Sequence, residues 1–280
     1  MKKTAIQGVI ASFHDIAAHK YFENEEIEII PCKTFRDVFA AVENDPEILG
    51  LAAIENTIAG SLLQNYELLR AGNLQIFGEY KLRISHCLAA LPGQTIRDIT
   101  EITSHPIAIM QCGNFLDALP QVKIVESEDT ALSARVISEK QQPGQAAICS
   151  KYAAEHYHLQ VLEEGIETNK RNFTRFLLVA DSWRVGELID KSKINKSSMV
   201  FALPHNEGSL SQVLSVLSFY NMNLTKIQSL PIIGREWEYL FYVDLTFSDY
   251  TRYRQSIDAI LPLTKNLKIL GEYPEGKQSI

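Results

Sequence analysis

Short apolar runs alternate with amphipathic helical patterns from the first residues of the chain, and this alternation restricts the fold more than any other feature. Ala5 to Ile10 precedes a helical pattern from Phe13, and Ile27 to Pro31 precedes one carrying Phe35, Val38, Phe39 and Val42. Leu49 to Ile54 precedes one carrying Leu62, Leu63, Tyr66 and Leu69. Repeats of this kind build a sheet covered by helices, and ligands bind outside the carboxyl ends of its strands, where loops enter helix N-termini. Phe77 to Ala89 reads as a long strand or a strand pair that carries the chain into a second lobe. There the units resume: Ile102-Thr103, a helix from Pro106 to Leu119, Val122 to Val125, a helix from Thr130 to Ser138, Ala146 to Cys149, a helix from Lys151 to His156, and Leu159 to Leu162. Two α/β lobes joined by crossovers describe a clamshell of the periplasmic-binding-protein kind, whose cleft is the expected binding site.

Periodicity fades between Ser182 and Lys196, and beyond it the order changes. Ser197 to Leu203 reads as a strand, Leu210, Val213, Leu214 and Leu217 share a helix face, and Asn223 to Pro231 is a second strand. Trp237, Tyr239, Phe241, Val243 and Leu245 alternate as a third strand, followed by a helix from Ser248 to Leu261 and a strand from Thr264 to Tyr273. This βαββαβ order is a small α+β domain with its helices on one sheet face. The expected division is a first unit over 1–185, its lobes roughly 1–80 with 168–185 and 81–167, then a linker over 186–197 and the α+β domain over 198–280.

Charge and composition exclude several classes. A net charge of -7 and a pI near 5.6 oppose general binding to nucleic acid or anionic membranes, so an anionic ligand must be held by local groups. No apolar run approaches the ~20 residues of a membrane helix, and Gln7 interrupts the opening run, which reads as a strand rather than a secretory leader. Cys32, Cys87, Cys112 and Cys149 are scattered without paired spacing, as expected of reduced thiols in a cytoplasmic protein. Glu155-His156-Tyr157-His158 lacks the i, i+4 spacing of a helical metal pair.

Three junctions carry polar groups suited to anion recognition. Glu55-Asn56-Thr57-Ile58-Ala59-Gly60-Ser61 reads as a turn leaving free N–H groups at a helix start; Ser12 and Ser104 lie at similar positions. Plain helix capping is the alternative reading at each, at about 1 kcal/mol and with no ligand implied. In Asn172-Phe173-Thr174-Arg175-Phe176, strand alternation sends Thr174 and Phe176 to one face and Arg175 to the other, unless the strand begins irregularly. The plainer alternative is an edge strand with a solvated arginine.

Together these segments resemble the prephenate dehydratase family with a C-terminal ACT regulatory domain. The likeness runs from Ile6 to about Tyr273 through Glu55 to Ser61, Gly78-Glu79, Ser85-His86, Ser104-His105-Pro106, Gln111-Cys112, Asp129-Thr130-Ala131 and Asn172 to Phe176, then Glu207 to Leu210 and Asn223 to Pro231. Departures are Val9, Ile10 and Ala11 in place of Pro-Glu-Gly, Thr57 for serine, Ile107 for glutamine, and Gln228-Ser229-Leu230-Pro231 for Glu-Ser-Arg-Pro. The resemblance implies a lyase that decarboxylates and dehydrates prephenate to phenylpyruvate in L-phenylalanine biosynthesis, with no metal and no cofactor. It implies Thr174, Arg175, Asn56 and Ser104 as catalytic residues, with Arg175 gripping a substrate carboxylate, and Thr57, Gly60, Ser61, Ser12 and Phe176 as substrate-binding ones. It further implies L-phenylalanine as effector near Gly208, Ser209, Leu210, Asn223, Leu224, Gln228 and Ser229, and a homodimer or homotetramer. Arogenate dehydratase and a non-catalytic small-molecule sensor are the alternatives. His86 reads equally as a polar core residue.

Overall fold

A computed structural model describes every residue except Asn24, Ile233, Glu236, Trp237 and Ile280. Trp237, expected at the start of a strand, thus lies outside the described residues. The first lobe runs β1 (Lys2–Gln7), α1 (Phe13–Tyr21), β2 (Ile27–Cys32), α2 (Phe35–Asn44), β3 (Ile48–Asn56), β4 (Gly60–Ser61), α3 (Leu63–Ala71) and β5 (Leu74–Arg83). The second runs β6 (Cys87–Ala90), β7 (Glu101–Ser104), α4 (Pro106–Gln111), α5 (Gly113–Asp117), β8 (Lys123–Glu126), α6 (Thr130–Lys140), β9 (Gln145–Cys149), α7 (Lys151–His156) and β10 (Gln160–Glu164). The chain then returns to the first lobe as β11 (Phe173–Asp181), followed by α8 (Ser182–Leu188). The remainder is β12 (Lys196–Ala202), α9 (Ser209–Phe219), β13 (Asn223–Pro231), β14 (Tyr239–Thr246), α10 (Tyr250–Ile260) and β15 (Lys265–Tyr273).

The first sheet has the order β2-β1-β3-β11-β5 with β4 paired to β3, and the second has β10-β6-β9-β7-β8; both mix parallel and antiparallel pairs. β11 is therefore a central strand, antiparallel to β3 and β5, and not an edge. Its run from Phe176 to Ala180 is buried on both faces, which is why it reads as continuous rather than alternating apolar sequence. The third sheet is antiparallel, in the order β13-β14-β12-β15.

Three expected elements differ. The helix expected from Pro106 to Leu119 breaks at Cys112 into α4 and α5, because Gly113 follows and costs a helix interior about 1 kcal/mol relative to alanine. The aperiodic stretch after Asp181 contains α8, capped by the Asp181 carboxylate; Val185 is its only buried residue among those described, so no periodic stripe marks it. The third difference concerns the β3–α3 junction. Asn56 to Ser61 is a tight β3–β4 hairpin, and α3 begins only after Leu62, which supplies no side-chain cap.

Helices α9 and α10 cover one face of the third sheet around Phe201, Val213, Leu245 and Tyr253. Its other face is packed on the first lobe, where Val200, Tyr242, Leu270 and Tyr273 join Ile54, Leu74, Ile76 and Leu177 in one core. Backbones touch there. A Cβ at Gly271 would lie 2.3 Å from the Ile76 carbonyl oxygen, so glycine alone permits the approach. The C-terminal tail then follows β5, with Lys81 N–H donating to Lys277 O at 3.1 Å and Ser279 N–H to Lys81 O at 2.9 Å.

Candidate active site

A cavity of about 360 Å³ opens between the two lobes. The first lobe contributes Phe13 and His14 from α1, the β3–β4 hairpin, and Thr174 with Phe176 from β11; the second contributes His105, Gln111, Asp129 and Thr130; His86 lies at the crossing. Alternation holds along β11. Thr174 and Phe176 face the cavity and Arg175 faces away, although the register against β3 shifts just after Arg175.

A chain of carboxamides fixes the donors at the cavity floor. The N–H groups of Ile58 and Ala59 donate to Asn56 Oδ1 at 2.9 and 2.8 Å, and because these groups can only donate, the Asn56 amide nitrogen must face the other way. Asn56 Nδ2 reaches Thr174 Oγ1 at 3.0 Å and Asn172 Oδ1 at 2.8 Å. Asn172 Nδ2 donates to Gln111 Oε1 at 2.9 Å, and the same oxygen lies 3.0 Å from His86 Nε2. The nitrogen facing that acceptor must carry the proton, so His86 is the Nε2–H tautomer and its buried Nδ1, which has no partner, is bare. Burial holds the His86 imidazole below its usual pKa despite Gln111 and Glu167, and so keeps it neutral. The orientation thus propagates from two backbone amides to an imidazole.

Of the expected residues, Thr174, Asn56, Gly60, Ser61 and Phe176 line the cavity. Four do not. Arg175 points to the opposite side and is buried against Glu79 Oε2 at 2.6 Å, Asp244, Glu55 at 3.3 Å and Tyr273 Oη at 3.1 Å, so its guanidinium is held by three carboxylates and a phenol of its own chain. Ser104 is fully buried and donates to Ile148 O at 2.6 Å across the second sheet, because β7 carries it inward before α4 begins; His105 caps that helix instead. Ser12 caps α1 by accepting from Asp15 N–H at 3.3 Å, the plain structural alternative. Thr57 faces outward and fastens the hairpin to β11, accepting from Phe173 N–H at 2.9 Å. The hairpin is not an anion cradle at a helix start, since Asn56 itself takes the N–H groups of Ile58 and Ala59.

The site also holds residues that sequence reasoning left out of it. Gln111, Asn172 and His86 complete the carboxamide chain; their signal was membership of the short motifs. His14 contributes a buried, unpartnered Nε2 and packs edge-on against Phe176 at 5.0 Å, with burial lowering its pKa to about 3. No sequence signal marks it. The positions expected to bind an effector lie elsewhere. Gly208 caps α9 at φ 77°, Ser209 and Leu210 open that helix, and Asn223, Leu224, Gln228 and Ser229 belong to β13, an edge strand.

The prephenate dehydratase family model matches residues 4–183, which include every residue of the cavity named above. Arogenate dehydratase 5 of Arabidopsis thaliana is 36% identical over 97% of this chain, which spans 67% of that relative's length. A prephenate dehydratase from Arthrobacter aurescens, solved in complex with L-Phe, superposes with a TM-score of 0.87 at 27% identity, covering 98% of this chain and 90% of that one. A structure described as GqqA, a novel type of quorum quenching acylases, superposes at 0.85 with 26% identity and 98% coverage of both chains. A fold alone does not fix a reaction, but the family model and the Arabidopsis relative are both named as dehydratases. The chain belongs to the prephenate dehydratase family.

Proposed function

We propose that the chain is a carbon–oxygen lyase that converts prephenate to phenylpyruvate, carbon dioxide and water. The bond from the ring to its carboxylate breaks, its electron pair enters the ring, and the hydroxyl across the ring leaves and takes a proton to become water. The carrying observation is the Asn56 donation to Thr174 Oγ1: with its oxygen already accepting, the threonine is free to aim its own O–H at the departing oxygen. Phe176 and Phe13 supply apolar walls for the ring, and Gly60 and Ser61 bound the hairpin side. Arg175 and Ser104 act through structure rather than on substrate, since both are turned from the cavity and already paired. Thr174→Ala should lower kcat by about 10²–10⁴-fold with little change in thermal stability, measured by phenylpyruvate formation from prephenate. A variant that turns over normally removes Thr174 from the mechanism.

We read the first unit as a periplasmic-binding-protein-like clamshell and β12 to β15 with α9 and α10 as an ACT domain that senses L-phenylalanine. The βαββαβ order supports this, as does the L-Phe complex of the Arthrobacter relative. The exposed edge of β13 and exposed Phe219 on α9 offer a surface for a second subunit, consistent with a homodimer or homotetramer. No helix among the described residues is long and apolar enough to cross a membrane.

A further inference from the structure

The β3–β4 hairpin brings Asn56 to the cleft, yet it is a short element. β4 has two residues, Glu55 pairs with Ser61 and Asn56 with Gly60, and α3 follows without a side-chain cap. The Glu55–Ser61 rung lies next to the one that contains Asn56, and it is gripped from outside the cleft by Lys226 of β13. Lys226 Nζ donates to Glu55 Oε2 and to Ser61 Oγ, the latter at 3.0 Å, and it lies 5.3 Å from the centroid of the Tyr66 ring on α3. One ammonium thus ties both arms of the hairpin to the helix that follows. Its side chain is only 11% exposed, and among the described residues no other side chain of β12 to β15 hydrogen-bonds to the hairpin. A bulge explains the reach of this edge strand. The register of β13 against β14 slips between Leu224 and Lys226, leaving Thr225 as the extra residue, and its hydroxyl donates to Asp244 O at 3.3 Å. Past the bulge, alternation puts Lys226, Gln228 and Leu230 on the half-buried face, where Leu230 packs in the core shared with the first lobe. Lys226 is therefore turned toward the hairpin.

We propose that Lys226 is a positioning residue for the dehydration: by clamping the Glu55–Ser61 rung it holds Asn56 Nδ2 within reach of Thr174 Oγ1. The inference rests on the dehydratase reading and extends the machinery to a residue that touches neither substrate nor Thr174. The Asn56 donation to Thr174 spans 3.0 Å, and a hydrogen bond weakens steeply with distance and misalignment. A hairpin released on its outer side therefore leaves Thr174 correctly aimed in a smaller fraction of molecules, which lowers turnover more than binding. The third sheet thereby reaches the chemistry without lining the cleft.

The experiment measures phenylpyruvate formation from prephenate for the unmodified chain, Lys226→Met, Lys226→Gln and Lys226→Arg, and repeats the first two substitutions in a Thr174→Ala background. Glu55 keeps its bond from Arg175 Nη1 at 3.3 Å in all of them, so no substitution leaves that carboxylate without a partner. Lys226→Met should lower kcat about tenfold with KM changed less than about twofold, and Lys226→Gln, which keeps a donor for Ser61, should lower kcat at least about threefold. Lys226→Arg restores the charge and should return kcat to within about twofold of the unmodified chain. Because the effect runs through Thr174, either neutral substitution should cost less than about twofold in kcat once Thr174 is alanine. A merely structural role would cost the same factor in both backgrounds, and that result overturns the inference. So does an unchanged kcat in Lys226→Met, or in Lys226→Gln should the methionine variant not fold, and either outcome leaves the dehydratase reading standing. An unmodified chain that forms no phenylpyruvate removes both.

Discussion

Three carboxamides decide the site at the scale of single residues, because each can face two ways and only one chain of orientations satisfies all of them. Asn172 is the hub: it is fully buried, accepts from Asn56 and donates to Gln111. Asn172→Asp keeps the shape and the acceptor but loses the donor, so Gln111 should turn its amide nitrogen toward the introduced carboxylate and release His86 from its tautomer. We expect kcat to fall about 10–100-fold, in line with about 1–3 kcal/mol for one unmet buried partner, with KM nearly unchanged. Nitrogen NMR of His86 should show the tautomer shift; an unchanged imidazole with full activity would disprove the relay. Motif membership put Asn172, Gln111 and His86 in view in the sequence. Their shared role was not legible there, since which amide faces which is settled by distant partners.

At the scale of elements, β11 lines the cleft with one face and meets the third sheet with the other. Its alternation divides these tasks cleanly, Thr174 and Phe176 to the cleft and Arg175 to the third sheet. The expectation that Arg175 grips a substrate carboxylate treated neighbours in sequence as neighbours in space, whereas consecutive strand residues face opposite sides. Arg175→Ala leaves Glu79 and Asp244 buried without their guanidinium, at a cost of about 3–5 kcal/mol. Urea unfolding should register that loss while KM for prephenate changes less than about twofold in the folded fraction. A tenfold rise in KM at unchanged stability would return the residue to the substrate. The hairpin makes a similar point: its small polar residues were legible as a turn, but not that Asn56 would consume the amides assigned to a ligand.

Across the whole molecule, a buried ionic cluster joins the dehydratase lobe to the C-terminal sheet. Glu79 from β5 accepts from Lys196 Nζ at 2.8 Å and from Arg175 Nε at 2.6 Å. Burial alone would raise its pKa, but Arg175 and Lys196 outweigh that and bring it down to about 2. Because the folded value lies below the unfolded carboxylate's ~4.3, the stabilisation is fully present above that pH and is lost as pH falls through about 2. Urea midpoints of the unmodified chain should therefore decline between about pH 5 and pH 2 more steeply than those of Glu79→Gln; parallel curves would show that Glu79 is not the titrating contact. The sequence by itself determined most of the alternation of strands and helices, because hydrophobic periodicity and turn residues act over a few neighbours. Only the tertiary structure decided that β11 is central, that the third sheet is buried on both faces, and that Arg175 serves the join rather than the cleft. Those outcomes depend on groups far apart in the chain that meet only when the sheets dock, so no local pattern records them.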